Sequence, residues 1–170
     1  MSSEQKNRTR HGAGRLAFHW PDPPLRIVLV EPEIPPNTGA IARLCAATGT
    51  PLHLVGPLGF RLTDRAVRRA GLDYWDAVEL HRHRNFDHFL EATGVTSPIL
   101  FSTAGRRRYQ DHAYRPGDAL VFGSETRGLE DALLDRYPET VLALPMRGDA
   151  VRSLNLAQCA AVALYEALRQ

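Results

Sequence analysis

Residues 118–137 read DALVFGSETRGLEDALLDRY. An apolar run from Ala119 to Phe122 ends in Gly123. Ser124, Glu125, Thr126 and Arg127 come next, and Gly128 precedes an amphipathic run that Pro138 stops. The first run has the length and composition of a buried strand, and the last has helical spacing. Strand, polar turn and helix together form the unit from which parallel sheets are assembled. A plain turn needs a cap and a turn residue. It does not need Glu125 and Arg127 held between two glycines, so this turn is also a candidate site.

The same alternation extends outward in both directions. RIVLVE (26–31), PLHLV (51–55), AVEL (77–80), PILFST (98–103), DALVFG (118–123) and TVLAL (140–144) read as strands. NTGAIARLCAATG (37–49), DRAVRRAG (64–71), NFDHFLEATG (85–94), EDALLDRY (130–137) and LNLAQCAAVALYEALRQ (154–170) read as helices, several opened by Asn and closed by Gly. Asn37 is placed as the first helix's cap, with Ile41, Leu44, Cys45 and Thr48 on its apolar stripe. The fold class is α/β, a mostly parallel sheet flanked by helices. Residues 1–24 are polar, basic and then proline-rich, and are expected to form a flexible tail before a single domain over 25–170.

The chain has 170 residues, 44% hydrophobic and 24% charged, which suits one soluble domain with a sizeable core. It lacks the run of ~18–20 apolar residues a membrane span needs and has no signal-peptide h-region, so a cytoplasmic location and no membrane partner are expected. Cys45 and Cys159 lie in separate helical patterns and read as reduced core residues. His81, His83 and His88 have no carboxylate or cysteine at ligand spacing, so no metal is expected. The net charge is only +2, but Lys6 is the sole lysine. The arginines cluster at 65–69, at 82–84 and at Arg106, Arg107 and Arg108, and arginine suits bidentate phosphate contacts. A solvated arginine-rich surface would look the same.

Ligands on parallel sheets bind beyond the C-terminal strand ends, and three loops there are unusual. EPEIPPNTGAIARL (31–44) brings two prolines, Asn37 and Arg43. Arg43 lies two residues past Ile41, about 200° around the helix from its stripe, so it points away from the core. VFGSETRGLE (121–130) has the charged pair. It matches neither a phosphate loop nor a nucleophile elbow. LPMRGDAVRSLNLAQCAAVALYEA (144–167) carries Arg147, Arg152, Ser153 and Asn155 before an alanine-rich helix suited to close packing. Either Ser153 or Asn155 can cap that helix.

In this order, PEIPPNTGAIARLCAATG, FGSETRGL and LPM…RSLNLAQCAAVALYEA resemble the three motifs of the SPOUT methyltransferases, and among them the TrmL-like tRNA 2′-O-methyltransferases of the wobble nucleotide. The resemblance covers residues 26–169 and includes GLDYWDAVEL (71–80). It implies a C-terminal deep trefoil knot, a homodimer, tRNA as substrate and S-adenosylmethionine as cofactor. The implied cofactor contacts are Phe101, Thr103, Gly123, Leu144, Met146 and Ser153, with Gly123 making room for the ligand. The implied catalytic set is Arg43, Asn37, Glu125 and Asn155. Arg43 would orient a phosphate and stabilise the developing oxyanion, since arginine stays protonated. Tyr165 matches a last-helix tyrosine serving the dimer or the RNA. The family's small members lack an added RNA-binding domain, so RNA contacts fall to the catalytic domain, with Arg106–Arg108 as candidates. The chain departs from the pattern by one extra residue in MRGDAVRS, by differences in FSTAGRRRYQDHAY and by its tail. These departures bear on substrate choice. Alternatives are 2′-O-methylation at an rRNA or other tRNA site, a non-catalytic RNA-binding knot, and a nucleotide-binding protein unrelated to S-adenosylmethionine.

Overall fold

The elements, in a computed structural model that describes residues 17–62, 75–148 and 150–170, are as follows. They run β1 (Arg26–Val30), α1 (Pro35–Thr48), β2 (Leu52–Val55), β3 (Leu80–His83), α2 (Phe86–Thr93), β4 (Ile99–Phe101), β5 (Arg107–Arg108), β6 (Ala119–Phe122), α3 (Asp131–Arg136), β7 (Val141–Ala143) and α4 (Leu156–Arg169). The strands form one sheet in the order β3-β2-β1-β6-β4-β7-β5. Every pairing is parallel.

Pleating sends alternate side chains to opposite faces, and the buried residues sort accordingly. Ile27, Leu29, Leu120, Phe122, Ile99 and Phe101 face α1 and α4, joining Ile41, Cys45, Ala160 and Leu164. Val28, Val121, Leu100 and Val141 face the other way, against Phe89 of α2 and Leu133 and Leu134 of α3. Both faces of the central strands are therefore apolar, which explains their short unbroken hydrophobic runs. Ala160, Ala163, Leu164 and Ala167 form the buried stripe of α4. Their small size lets α4 settle against α1 and β6, the tight packing its alanine content predicts.

Three expectations need correction. The third strand is Leu80–His83, not 77–80, because Trp75–Ala77 closes a 3-10 turn. As an edge strand β3 needs only one covered face, so LHRH can be polar where an apolar run was sought. The arginine-rich segment contains the two-residue strand β5 beside β7, where only a loop was read. Gly105 is needed there, since a Cβ would stand 2.6 Å from the Leu142 carbonyl carbon. Helix α1 starts at Pro35 with Ile34 at its cap position, so Asn37 lies inside the first turn and is not the cap. The expected helix 64–71 falls outside the described residues, as do positions 1–16 of the tail; residues 17–24 run without helix or strand up to the buried Leu25.

Asn85 does cap its helix, accepting from the His88 amide at 2.8 Å. Around that helix start the histidines gather. His53 Nδ1 lies 2.9 Å from His83 Nε2, and His83 Nδ1 lies 3.3 Å from His88 Nδ1. Phe89 meets the His53 ring edge-on. Among the described residues no group of three or more His, Cys, Asp or Glu is arranged to hold a metal ion. Burial first, then the charges of His81, His83 and Arg26, pushes the His53 imidazole down from 6.5 to about 3.

The folded chain therefore binds fewer protons here than the unfolded chain. His53's contribution is fully present above about pH 6.5 and is lost as pH falls toward 3. Urea midpoints measured from pH 7.5 to pH 5, a range where most carboxylates stay ionised, should fall with acidification. His53→Asn should flatten that slope, and an equally steep slope in the variant would rule out His53 as its source.

Candidate active site

The C-terminal ends of β4, β6 and β7 open on one side of the sheet. The loops leaving them enclose a cleft of about 530 Å³, within the ~300–1,000 Å³ of small-molecule sites. Phe101 and Phe122 stack at 4.7 Å on its wall. All six residues expected to touch a cofactor, Phe101, Thr103, Gly123, Leu144, Met146 and Ser153, line it, and Asn37, Glu125 and Asn155 do too. Arg43 does not. It is exposed on α1, on the ridge shared with Pro36, Ala40 and Ala47.

A run of hydrogen bonds joins the three loops. One Glu125 oxygen accepts from the Glu33 amide at 2.8 Å. The other accepts from the Ile34 amide at 3.3 Å and from Asn37 Nδ2 at 3.0 Å. Asn37 Oδ1 in turn accepts from Asn155 Nδ2 at 2.9 Å. Asn155 Oδ1 then caps α4, accepting from the Ala157 and Gln158 amides. Asn155, not Ser153, is thus the cap. A carboxylate placed at the start of α1 also meets the positive end of the helix dipole. Asn37 is 8% exposed and uses both ends of its amide, so its identity is set by the two partners.

Sequence reasoning missed the opposite anchor. Glu33 accepts from the Thr126 hydroxyl at 2.6 Å and the Thr126 amide at 3.2 Å. Glu31 pairs with Arg127 at 2.9 Å. The available signal was two glutamates around a proline in EPEIPP with no basic residue at helical spacing to match them. Arg127 therefore anchors its loop to Glu31, rather than simply facing a ligand.

Gly123 also has a different reason from the one expected. A Cβ there would come within 2.1 Å of the Gly128 carbonyl carbon and 2.3 Å of the Leu129 nitrogen. What fills the space is the loop folding back on itself, fixed by the reciprocal bonds between Ser124 and Gly128. Gly128 accordingly takes φ +72°, a left-handed conformation that favours glycine. Cys159 lines the cleft as well, and burial pushes its thiol upward, away from the reactive thiolate. Tyr165 is 56% exposed on α4. Arg107 donates to the Glu139 carbonyl and Arg108 pairs with Asp111, both exposed at the sheet's β5 edge.

A strand-end cleft bounded by these three loops has counterparts. Residues 24–165 match the SpoU rRNA Methylase family. The chain belongs to this family. A tRNA (cytidine(34)-2′-O)-methyltransferase of Burkholderia pseudomallei (strain 1106a) is 53% identical to this SpoU methylase over 147 residues, 85% of this chain and 94% of the relative. The enzyme of the same name from Escherichia coli (strain K12) is 47% identical over 147 residues, 86% and 93% of the two chains. A solved structure concerned with 2-OH methylation of C/U34 on tRNA superposes with a TM-score of 0.81 at 48% identity, covering 86% of this chain and 95% of that one. An AdoMet-bound rRNA methyltransferase from Sinorhizobium meliloti superposes with a TM-score of 0.75 at 26% identity, over 85% of this chain and 56% of the other.

If the relay acts as one unit, its members should couple. Glu125→Ala and Asn155→Ala each break it, so the double variant should be less destabilised than the sum of the singles. The expected discrepancy in urea unfolding is about 0.5 kcal/mol or more. Additive losses would mean that the two ends are independent.

Proposed function

We propose that this SpoU methylase transfers a methyl group from S-adenosylmethionine to the ribose 2′-hydroxyl of the wobble nucleotide in tRNA anticodons. The observation that carries the reading is the cleft itself, formed by three motif loops in a chain about half identical to enzymes named for nucleotide 34 over nearly their whole length. A tRNA substrate agrees with a cytoplasmic location, and no helix among the described residues is long and apolar enough to cross a membrane.

The cleft fits the cofactor by size and by chemistry. Phe101, Phe122, Leu144 and Met146 offer apolar surface for a base, and Thr103, Ser153 and the strand-end backbone offer hydrogen bonds. When bound, the cofactor supplies an activated methyl group, so the protein's task is alignment. Phe101, Thr103, Gly123, Leu144, Met146 and Ser153 hold it. Glu125, Asn37 and Asn155 fix the walls against one another. Arg43 lies outside the cleft's lining, and its solvent-facing position on α1 suits a charge that meets the RNA. A guanidinium cannot serve as base at neutral pH; it orients a phosphate and stabilises the developing oxyanion.

The reading includes a knot in which the chain after β7 passes through a loop. Support comes from Leu144, Met146, Arg152, Ser153, Leu154 and Asn155, which line the cleft before α4 packs on α1 and β6. It includes a homodimer, for which exposed Val162 and Tyr165 on α4 offer a face. RNA contacts come from the single domain 25–170, with Arg106–Arg108 among them.

Mass-spectrometric ribose mapping of tRNA from cells with and without the protein tests the substrate. A methyl lost at nucleotide 34 is expected; loss at an rRNA or different tRNA position would replace this substrate. With purified components, Arg43→Ala should lower the turnover rate ~100-fold or more, while calorimetry shows cofactor binding intact. Near wild-type turnover would remove Arg43 from the mechanism. Light scattering at micromolar concentration should give twice the 18.9 kDa of one chain, and a monomer mass would end the dimer reading.

A further inference from the structure

A second cleft, of about 420 Å³, lies over the C-terminal ends of β1, β2 and β3. It shares Arg127 and Gly128 with the first, so the two adjoin along one edge of the sheet. Three arginines, Arg84, Arg127 and Arg136, face it together with the carboxylates Glu31, Asp87 and Glu130. Arg127 is paired with Glu31 at 2.9 Å and Arg136 with Asp87 at 2.6 Å, both largely in solvent. Such exposed pairs contribute little to stability. Arg84 is exposed at the end of β3, and among the described residues it makes no hydrogen bond or ion pair. Asn85, next to it, is committed to capping α2, which fixes the backbone that carries Arg84.

We propose that this second cleft seats the nucleotide adjoining the methylated one, with Arg84 taking its phosphate. The inference rests on the RNA reading above and adds a subsite to it. Three observations support it. The cleft is large enough for a nucleotide. It begins where the first one ends, as successive residues of a single-stranded loop require. Arg84, without an ion pair among the described residues, is a guanidinium, whose fork matches two phosphate oxygens. Single-stranded RNA with splayed bases is the form that protein clefts read. Arg127, on the wall between the clefts, then stands between the two nucleotides while it keeps its loop anchored to Glu31.

The test uses the full chain and a fluorescent anticodon stem-loop, and reads binding by anisotropy, which is independent of methyl transfer. Arg84→Ala should weaken binding about tenfold and reduce the slope of log affinity against log salt by about one, as loss of one phosphate contact requires. Its cofactor affinity should stay at the wild-type value, showing that the fold and first cleft are intact. A methylphosphonate replacing the phosphate on one side of the target should weaken wild-type binding and add nothing to the Arg84→Ala defect. Unchanged affinity and salt slope in Arg84→Ala, or losses that add for both flanking phosphates, overturn the proposal. Wild-type protein that binds this RNA through Arg84 but leaves position 34 unmethylated would leave the subsite standing and defeat the substrate reading.

Discussion

One carboxylate holds the site together. Glu125, on the loop after β6, accepts from two backbone amides at the start of α1 and from Asn37, and Asn37 passes the connection to Asn155 at the start of α4. Among the described residues no strand pairing ties these three segments to one another at this end of the sheet. Charge-assisted bonds to a carboxylate are roughly twice as strong as neutral ones. Three of them on Glu125 and one neutral amide bond from Asn155 to Asn37 therefore set the width of a cleft whose walls come from parts of the chain far apart in sequence. The bonds need α1 and α4 to be neighbours already, and the alanine stripe of α4 provides that.

The loop that carries Glu125 is itself heavily constrained. Gly123 admits the returning backbone, Gly128 makes the left-handed turn, and Glu33 and Glu31 hold Thr126 and Arg127 from outside. The pairing of EPEIPPN with GSETRG is mutual: each segment supplies acceptors or donors that the other lacks. Residues of a ligand site are usually placed by such supporting contacts, and here the supporting shell lies in the same two motifs as the site.

Much of this was legible because it obeys local rules. Apolar runs gave six of the seven strands, with the third displaced by a few residues, and capping chemistry gave Asn85, Gly49 and Gly94. The cleft residues were legible through resemblance to a family and from the rule that loops at strand ends bind ligands. What escaped was nonlocal. Asn37 looks like a cap by its neighbours, yet Glu125, far away in sequence, determines its role. Gly123 looks like room for a ligand until Gly128 is found against it. The polar strand LHRH, being at an edge, lacks the two-sided burial that makes a parallel strand visible as an apolar run. The role proposed for Arg43 rests on the motif alone, since an exposed place on α1 does not mark it out.

The charge arrangement has a consequence for a polyanionic substrate. Glu31, Glu33 and Glu125 gather around the loop after β6, and three bare carboxylates would repel RNA. Each is instead occupied: Glu31 by Arg127, Glu33 by Thr126 and Glu125 by the helix start and Asn37. Arg127 supplies a counter-charge to Glu31 and Glu33, and neutral donors and the helix start stabilise Glu125. Arg84, Arg106 and Arg152 make no hydrogen bond or ion pair among the described residues, and Glu130 and Asp131 at the same strand ends are likewise exposed. A net charge of only +2 is compatible with RNA binding, because Glu31, Glu33 and Glu125 are engaged in building the site while Arg84 and Arg152 stay open to the substrate.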